Sequence, residues 1–229
     1  MRTIKVRHIG KRLLFFCIVI LVGISAYVLL VNIFTIDAIE VQGDGIGVDV
    51  NQQKLPKNLL FFPIAKITKQ ILLDNPLVES LTIQKKYPRV LILKVKARSG
   101  VANVVASTMS AVVDASGVII GIDRPKDDIP TIEHNIFIGT IGSHITDEYI
   151  LTALTFIEKV KSFVKIQKIT NVNSDYLQAV FDKTDILFPQ KTDMSKLADT
   201  LQTLLSGFRI KGTMPSTIDL RYDKPVVTY

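Results

Sequence analysis

The chain has 229 residues, 48% of them hydrophobic, and carries a formal net charge of +7 from 28 basic and 21 acidic side chains. Five of the bases precede residue 13, so the rest of the chain has 23 basic against 21 acidic side chains, a net of +2. This distribution does not favour a nucleic-acid-binding surface. Cys17 is the only cysteine, which excludes disulfides and cysteine-ligated zinc from the residues after it.

The first predicted element is an apolar helix. Leu13 to Val31 contains no charged residue, and at about 1.5 Å per residue it would span roughly 28 Å, close to the hydrocarbon thickness of a bilayer. We predict one transmembrane helix within residues 13–33. The basic residues that precede it, which form the topology signal, are Arg2, Lys5, Arg7, Lys11 and Arg12.

This basic tail, residues 1–12, predicts a cytoplasmic N-terminus and an extracytoplasmic bulk. A cleavable signal peptide is the alternative interpretation. The apolar region of such a peptide is shorter and ends in small residues, whereas here the small cluster Gly23–Ala26 lies inside the apolar run. We therefore favour an uncleaved, single-pass anchor.

Residues 34–98 predict a small α+β domain in the order strand, helix, strand, strand. The predicted strands are Phe34–Gly43, Val78–Lys86 and Val90–Ala97, and the predicted helix is Pro63–Leu73. Pro63 suits a first helical turn, and Asn75 precedes a proline, which disfavours helix at that position. The glycine-rich segment between residues 43 and 58 is a poor candidate for a further helix.

Residues 99–229 predict a mostly antiparallel β domain with two or more helices. The predicted strands are Val101–Ala106, Met109–Asp114, Val118–Ile122, Ile166–Val172, Tyr176–Phe181, Ile186–Phe188 and Thr217–Tyr222, with Val226–Thr228 extending the last one. One helix is predicted to begin at Thr146, and another to run from Met194 to Leu205 and end at Ser206-Gly207. The predicted fold class is therefore α+β, with one N-terminal transmembrane helix.

The sequence does not place residues that could support catalysis close to one another. His8 lies in the basic tail, and His134 and His144 lie ten residues apart in loop-like sequence. A metal or nucleophile site would need these imidazoles to meet acids or a serine in space. No motif selects such a set, so we predict no catalytic, cofactor-binding or metal-binding residues.

Several phrases follow one another in the order of a known family. The first three are Phe34-Thr-Ile-Asp-Ala-Ile-Glu-Val-Gln-Gly43, Asn58-Leu-Leu-Phe61 and Pro76-Leu-Val-Glu-Ser-Leu-Thr-Ile-Gln-Lys-Lys-Tyr-Pro88. Val90–Arg98 with Val101-Ala102, Val113-Asp-Ala-Ser-Gly117-Val118 and Ile218-Asp-Leu-Arg-Tyr-Asp223 complete the series. With the basic tail and single anchor, they resemble the FtsQ/DivIB family of bacterial cell-division proteins.

The resemblance implies a POTRA domain at residues 34–98 and an FtsQ-type β domain at residues 99–229. Three features depart from the family pattern. The first POTRA helix is expected to be shortened or absent, Ala97 stands where an acid is common, and Gly100 stands where proline is common. A shortened or divergent POTRA domain is the corresponding expectation.

The function implied by the resemblance is that of a scaffold without catalysis or cofactors. FtsQ-like proteins hold the coiled-coil membrane proteins FtsB and FtsL at the division septum and help to regulate septal wall synthesis. The implied partner site is Tyr222, Asp223, Lys224 and Val226, with Tyr222 as an aromatic anchor at a sheet edge. The alternative for Tyr222 is packing against its own sheet.

Two other functions remain open at this level. One is a membrane-anchored POTRA-type protein of an envelope export or assembly complex, although the chain has no POTRA repeats. The other is a membrane-tethered cell-wall enzyme, which would need convergent polar residues in a cleft. A small-molecule substrate and a nucleic-acid partner are not predicted.

Overall fold

The computed structural model describes residues 3–43, 55–107, 109–173 and 175–229. Within them the chain forms an α+β fold, as predicted. The helices are α1 (Thr3–Ile33), α2 (Ile64–Asp74), α3 (Glu148–Val160) and α4 (Met194–Lys211). The strands are β1 (Ala38–Gly43), β2 (Val78–Lys86), β3 (Val90–Ala97), β4 (Ala102–Val105), β5 (Ser110–Val113), β6 (Ile119–Ile122), β7 (Thr131–Glu133), β8 (Lys168–Asn171), β9 (Tyr176–Phe181), β10 (Thr184–Pro189), β11 (Thr217–Asp219) and β12 (Val226–Thr228).

The chain divides into two compact units, a first unit of Met1–Ala97 and a second unit of Arg98–Tyr229. Two predictions fall on residues outside the described ranges. These are the topology residue Arg2 and the segment 44–54, where a first helix of the POTRA-like domain would lie.

Helix α1 contains one stretch, Leu14–Ile33, that is long and apolar enough to cross a membrane. Its large apolar side chains are exposed, and none of the other elements that the structure describes buries them. A helix that satisfies its own backbone hydrogen bonds and presents apolar side chains all round suits a lipid environment. The prediction of one apolar N-terminal helix that is long enough to span a membrane is therefore confirmed.

The rest of the first unit is a three-stranded sheet in the order β1-β3-β2, with α2 packed against it. β1 runs parallel to β3, and β2 runs antiparallel to β3. β2 and β3 have the predicted bounds, since the alternation of apolar and polar residues is clear in both. The buried core residues are Leu59, Phe62, Ile71, Val78, Leu81, Ile83, Leu91, Leu93 and Val95.

The second unit is built on a nine-stranded mixed sheet in the order β12-β11-β10-β9-β8-β7-β4-β5-β6. Helices α3 and α4 pack together and contribute their apolar faces to its large core. Phe156 of α3 stacks on Phe188 of β10 at 4.1 Å between ring centroids, and neither ring is exposed. β7 was not predicted, because three residues in a loop-rich stretch give too short a pattern to read.

The predicted hairpin at Asp114–Gly117 is present between β5 and β6. The Asp114 carboxylate is buried and accepts hydrogen bonds from the N–H groups of Ser116 and Val118, at 2.9 and 2.8 Å, and from Arg98. Burial acts to raise the pKa of Asp114, but these hydrogen bonds outweigh it and lower that pKa below its ordinary value. Gly117 has a φ of +84°, which disfavours any residue with a Cβ at this turn.

Two predictions near the end of the chain are wrong. Helix α4 does not end at Gly207, because its apolar stripe continues to Phe208 on the core, and the helix closes at Gly212 with a φ of +71°. The strand predicted over Thr217–Tyr222 ends at Asp219, and β12 does not extend it. Instead the chain turns back, and β12 pairs antiparallel with β11.

Candidate functional site

The C-terminal hairpin, β11–β12, forms one edge of the nine-stranded sheet. β11 pairs parallel with β10, and β12 adds outside it, with Ile218 opposite Val227 and Asp219 opposite Val226. Ser216 fixes the end of the hairpin, because its N–H and its hydroxyl donate to the Thr228 carbonyl at 2.8 and 3.0 Å. β12, not β11, is therefore the strand that faces outward from the sheet.

The backbone of β12 presents hydrogen-bonding groups at this edge. The C=O of Ser216 and the N–H of Leu220 face β10, since Asp185 N–H donates to Ser216 O and Leu220 N–H donates to Leu187 O. Backbone groups alternate in direction along a strand. The residues of β12 opposite Thr217 and Asp219 consequently face β11, and the N–H and C=O of Val227 point away from the sheet.

Side chains alternate along β12 in the same way. Val227 packs against the core, whereas Val226 and Thr228 are exposed. Tyr229 follows with its ring edge-on to Phe208 of α4 at 6.5 Å between centroids. A strand added at this edge would thus meet the outward backbone groups of Val227 together with the exposed side chains of Val226 and Thr228.

The predicted partner residues all lie in this hairpin. Tyr222, Asp223 and Lys224 occupy the turn between β11 and β12, and Val226 is the first residue of β12. Tyr222 and Val226 are 59% and 53% exposed. These predicted residues lie next to one another at one edge of the sheet, and the sequence analysis misassigned the strand that forms that edge.

Sequence reasoning missed the pair that supports the turn, Asp219 and Arg221. The Arg221 guanidinium donates to both carboxylate oxygens of Asp219, at 2.9 and 2.6 Å. Its plane lies over the ring of Tyr176 on β9, 4.4 Å from the centroid, and 5.6 Å from that of Tyr222. The sequence signal for this pair was an acidic and a basic residue two positions apart at the end of a predicted strand.

Both side chains of this pair are stabilised in their charged forms. The hydrogen bond from the Arg221 side chain is the main cause that lowers the pKa of Asp219. Burial, the next largest cause, acts to raise that pKa, and the hydrogen bond from the Arg221 backbone N–H lowers it further. The same side-chain hydrogen bond raises the pKa of Arg221. Because a planar guanidinium bridges a carboxylate and a tyrosine ring, the backbone entering the turn has a fixed direction.

The histidines considered in the sequence lie in separate surroundings. The ring of His134 lies 4.4 Å from that of Tyr149 between centroids, tilted by 35°, and its Nε2 is 3.5 Å from Asp147 Oδ2. His144 Nδ1 lies 2.9 Å from the carbonyl of Ile145. Across the described ranges, no group of three or more His, Cys, Asp or Glu side chains could hold a metal ion.

The contacts of the His134 cluster do not form a catalytic arrangement. Asp147 already caps α3 by accepting the N–H of Ile150 at 3.0 Å. The Tyr149 hydroxyl is buried, and among the described residues it has no hydrogen-bond partner. Burial is the main cause that raises the pKa of Tyr149, and nearby carboxylates add to it. This hydroxyl therefore stays protonated and is unsuited to act as a base at neutral pH.

An open cleft of about 440 Å³ lies beside the end of α3. Its lining includes Asp128, Glu158, Lys161 and Lys165. Lys161, which caps the C-terminal end of α3, is already paired with Glu158 of the last turn at 2.6 Å. This is the geometry of a surface ion pair, which does not by itself indicate an acid–base couple.

No protein-family model matches this chain, and no curated protein matches it. The resemblance to FtsQ/DivIB proteins thus depends on the sequence phrases described above.

Proposed function

We propose that this protein is a bitopic, non-enzymatic scaffold of the bacterial divisome, similar to FtsQ/DivIB proteins. α1 anchors it in the plasma membrane at the septum with its N-terminus in the cytoplasm. The extracytoplasmic C-terminal hairpin binds coiled-coil membrane partners of the FtsB and FtsL type, which helps to assemble and regulate septal wall synthesis. The first unit is interpreted as a divergent POTRA domain.

The observation that carries this proposal is the exposed edge at β12. A partner segment in extended conformation can pair with the outward N–H and C=O of Val227 and continue the sheet. Main-chain pairing supplies affinity, and exposed side chains on either side supply selectivity. Val226 and Tyr222 provide the apolar contacts, and an aromatic residue at such a position is a frequent centre of binding energy.

In this proposal, the charged residues of the turn influence how fast a partner associates and which partner is accepted. Asp223 and Lys224 are exposed and adjacent to Tyr222. Exposed charges at the rim of an interface act mainly on association rate and on partner discrimination. A short strand with a neighbouring proline also resists pairing with a second copy of itself, which keeps the edge available for a different partner.

The anchor supports the same function. Leu14–Ile33 contains 20 residues, which correspond to about 30 Å of helix. A single span of this kind keeps the hairpin on the same side of the membrane as the extracytoplasmic segments of other bitopic proteins. Tethering in one membrane also raises the effective concentration of such partners.

Co-purification of the full chain from its native membrane tests the proposal. Recovery of FtsB and FtsL homologues with the wild-type protein, and their loss with the double variant Tyr222→Ala and Val226→Lys, is expected. Phe137→Ala is the matched control, because Phe137 is a 92% exposed aromatic residue of the same unit, in the loop after β7 and thus away from the hairpin edge.

Two results would contradict the proposal. Recovery of export or outer-membrane assembly proteins in place of the division proteins would support the envelope-export alternative. Equal recovery of FtsB and FtsL homologues with wild-type and double-variant proteins would exclude the hairpin as their site.

A further inference from the structure

The end of α1 is held by side chains of the first unit. Asn58 Nδ2 donates to the Val31 carbonyl at 3.1 Å, and Arg89 donates through Nε and Nη2 to the carbonyls of Ile33 and Asn32, each at 3.3 Å. The last carbonyls of a helix have no partner within the helix. These contacts therefore satisfy the end of α1 and place Asn58 and Arg89 where its apolar stretch ends.

Exposed aromatic and aliphatic side chains surround this point. Phe61 is 64% exposed, and its N–H donates to Asn58 Oδ1, on the same amide that reaches the end of α1. Tyr87 is 56% exposed and meets the ring of Phe34, directly after α1, at 5.7 Å between centroids. Leu60 lies beside Phe61 and is also exposed.

Basic side chains lie among these residues. Lys85 Nζ donates to the Leu60 carbonyl at 3.0 Å, and Lys57 precedes Asn58 on an exposed loop. Arg89 pairs with Asp37 at 2.8 Å, and Lys86 lies 3.7 Å from Glu40. Over the described part of the chain, neither Lys57 nor Lys85 forms an ion pair, so both present charge to the surroundings.

We propose that these residues bind the surface of the bilayer that α1 crosses. The juxtamembrane patch consists of Lys57, Leu60, Phe61, Lys85 and Tyr87. Aromatic side chains are favoured at the membrane–water interface, where an apolar ring meets a polar layer. Lysines near that surface are attracted to anionic headgroups.

The occupant follows from the position of the patch. Hydrogen bonds connect Asn58 and Arg89 to the last turn of α1, so the neighbouring residues lie at the depth of the lipid headgroups whenever α1 spans a membrane. The bilayer thus reaches the patch without a further partner. This inference rests on the anchor of the proposed function and is independent of the C-terminal hairpin.

The absence of tryptophan from the sequence allows a direct test. Phe61→Trp places a single tryptophan in the patch of the full chain, which is then reconstituted in phosphatidylcholine nanodiscs with lipids brominated near the headgroup. Ser80→Trp is the control, because Ser80 is exposed on β2, roughly 20 Å along the strand from the Tyr87 turn. We expect at least about twofold stronger bromine quenching for Phe61→Trp, with blue-shifted emission.

The charge of the patch is tested in the same Phe61→Trp protein. Adding phosphatidylglycerol is expected to increase quenching, and Lys57→Gln with Lys85→Gln should abolish the increase. Lys94→Gln with Lys96→Gln removes the same charge from the far half of β3 and should preserve it. If phosphatidylglycerol has no effect, or if the control pair abolishes the effect equally, the anionic-lipid contact is refuted.

The outcomes separate the patch from the anchor. Gel filtration shows whether the chain elutes with the nanodiscs. A chain that elutes with them but is quenched equally at both tryptophan positions refutes the patch alone. A chain that does not elute with them refutes the anchor and, with it, the patch.

Discussion

Asp114→Asn tests the physical account of the second unit most directly. The carboxylate accepts hydrogen bonds from two backbone N–H groups of its hairpin and from Arg98, which lies 2.5 Å away. An asparagine oxygen can retain the backbone bonds. Its amide nitrogen would then face the Arg98 guanidinium, so two donors would meet where a donor and an acceptor meet in the wild type.

The size of the effect follows from these contacts. Hydrogen bonds to charged groups contribute about 1.5–3 kcal/mol each, and the ionic one is the bond that is lost. We therefore expect the free energy of unfolding to fall by about 2 kcal/mol. For a unit of this size, that corresponds to a decrease in Tm of roughly 6–10 °C.

The expected pH dependence has a definite sign. The pKa of Asp114 is lowered by folding from its ordinary value of 3.8. Its contribution to stability is thus complete above that value and is lost as the pH falls through the folded-state pKa. The difference in Tm between wild type and Asp114→Asn should be largest at neutral pH and should shrink as the pH falls below about 3.8.

Thermal unfolding of the full chain in detergent, followed by circular dichroism across this pH range, measures both quantities. Asp127→Asn is the control, because Asp127 is exposed in the loop after β6, and its Tm should match the wild type at every pH. An unchanged Tm for Asp114→Asn at neutral pH would refute the assigned hydrogen bonds. A Tm difference that persists undiminished in acid would refute the role of the ionised carboxylate.

Three further variants probe the core and the hairpin. Phe188→Ala removes a ring that is fully buried and stacked against α3, so denaturant unfolding should show a loss of about 3–5 kcal/mol; a loss below about 1 kcal/mol would contradict that packing. Tyr222→Ala should leave unfolding unchanged and weaken binding of an FtsB-type extracytoplasmic segment at least about tenfold in a titration, while Phe137→Ala should bind normally; unchanged binding removes Tyr222 from the site. Arg221→Lys keeps the charge but loses the planar fork, so amide exchange over residues 220–225 should accelerate, and unaltered exchange would show that the guanidinium does not order the turn.

Local pattern made much of the first unit predictable. In β3, Leu91, Leu93 and Val95 are buried and alternate with exposed or half-buried neighbours, so the period of two is unambiguous. β1 was predicted to start at Phe34 but starts at Ala38. The reason is tertiary, because Thr35 instead bridges to Asn58 and also bonds the end of α1.

The second unit shows where local pattern is insufficient. Gly207 gave a helix-ending signal, yet α4 continues because Phe208 gains burial in the core. The sequence pattern placed Tyr222 in the last strand and let Val226–Thr228 extend that strand, whereas Tyr222, Asp223 and Lys224 lie in an exposed turn. The reversal that makes β12 the edge depends on the turn after β11 and on pairing of β12 with β11, and the periodicity of apolar residues does not indicate it.

The parallel pairing of β10 with β11 has a consequence for the order of folding. All of α4 lies between these two strands, so they meet only after a long loop has closed and its entropy has been lost. β12 in turn needs β11 as its template. We therefore expect β12, the outermost strand, to assemble late. A partner that binds β12 would then bind only those chains in which the rest of the sheet has already formed.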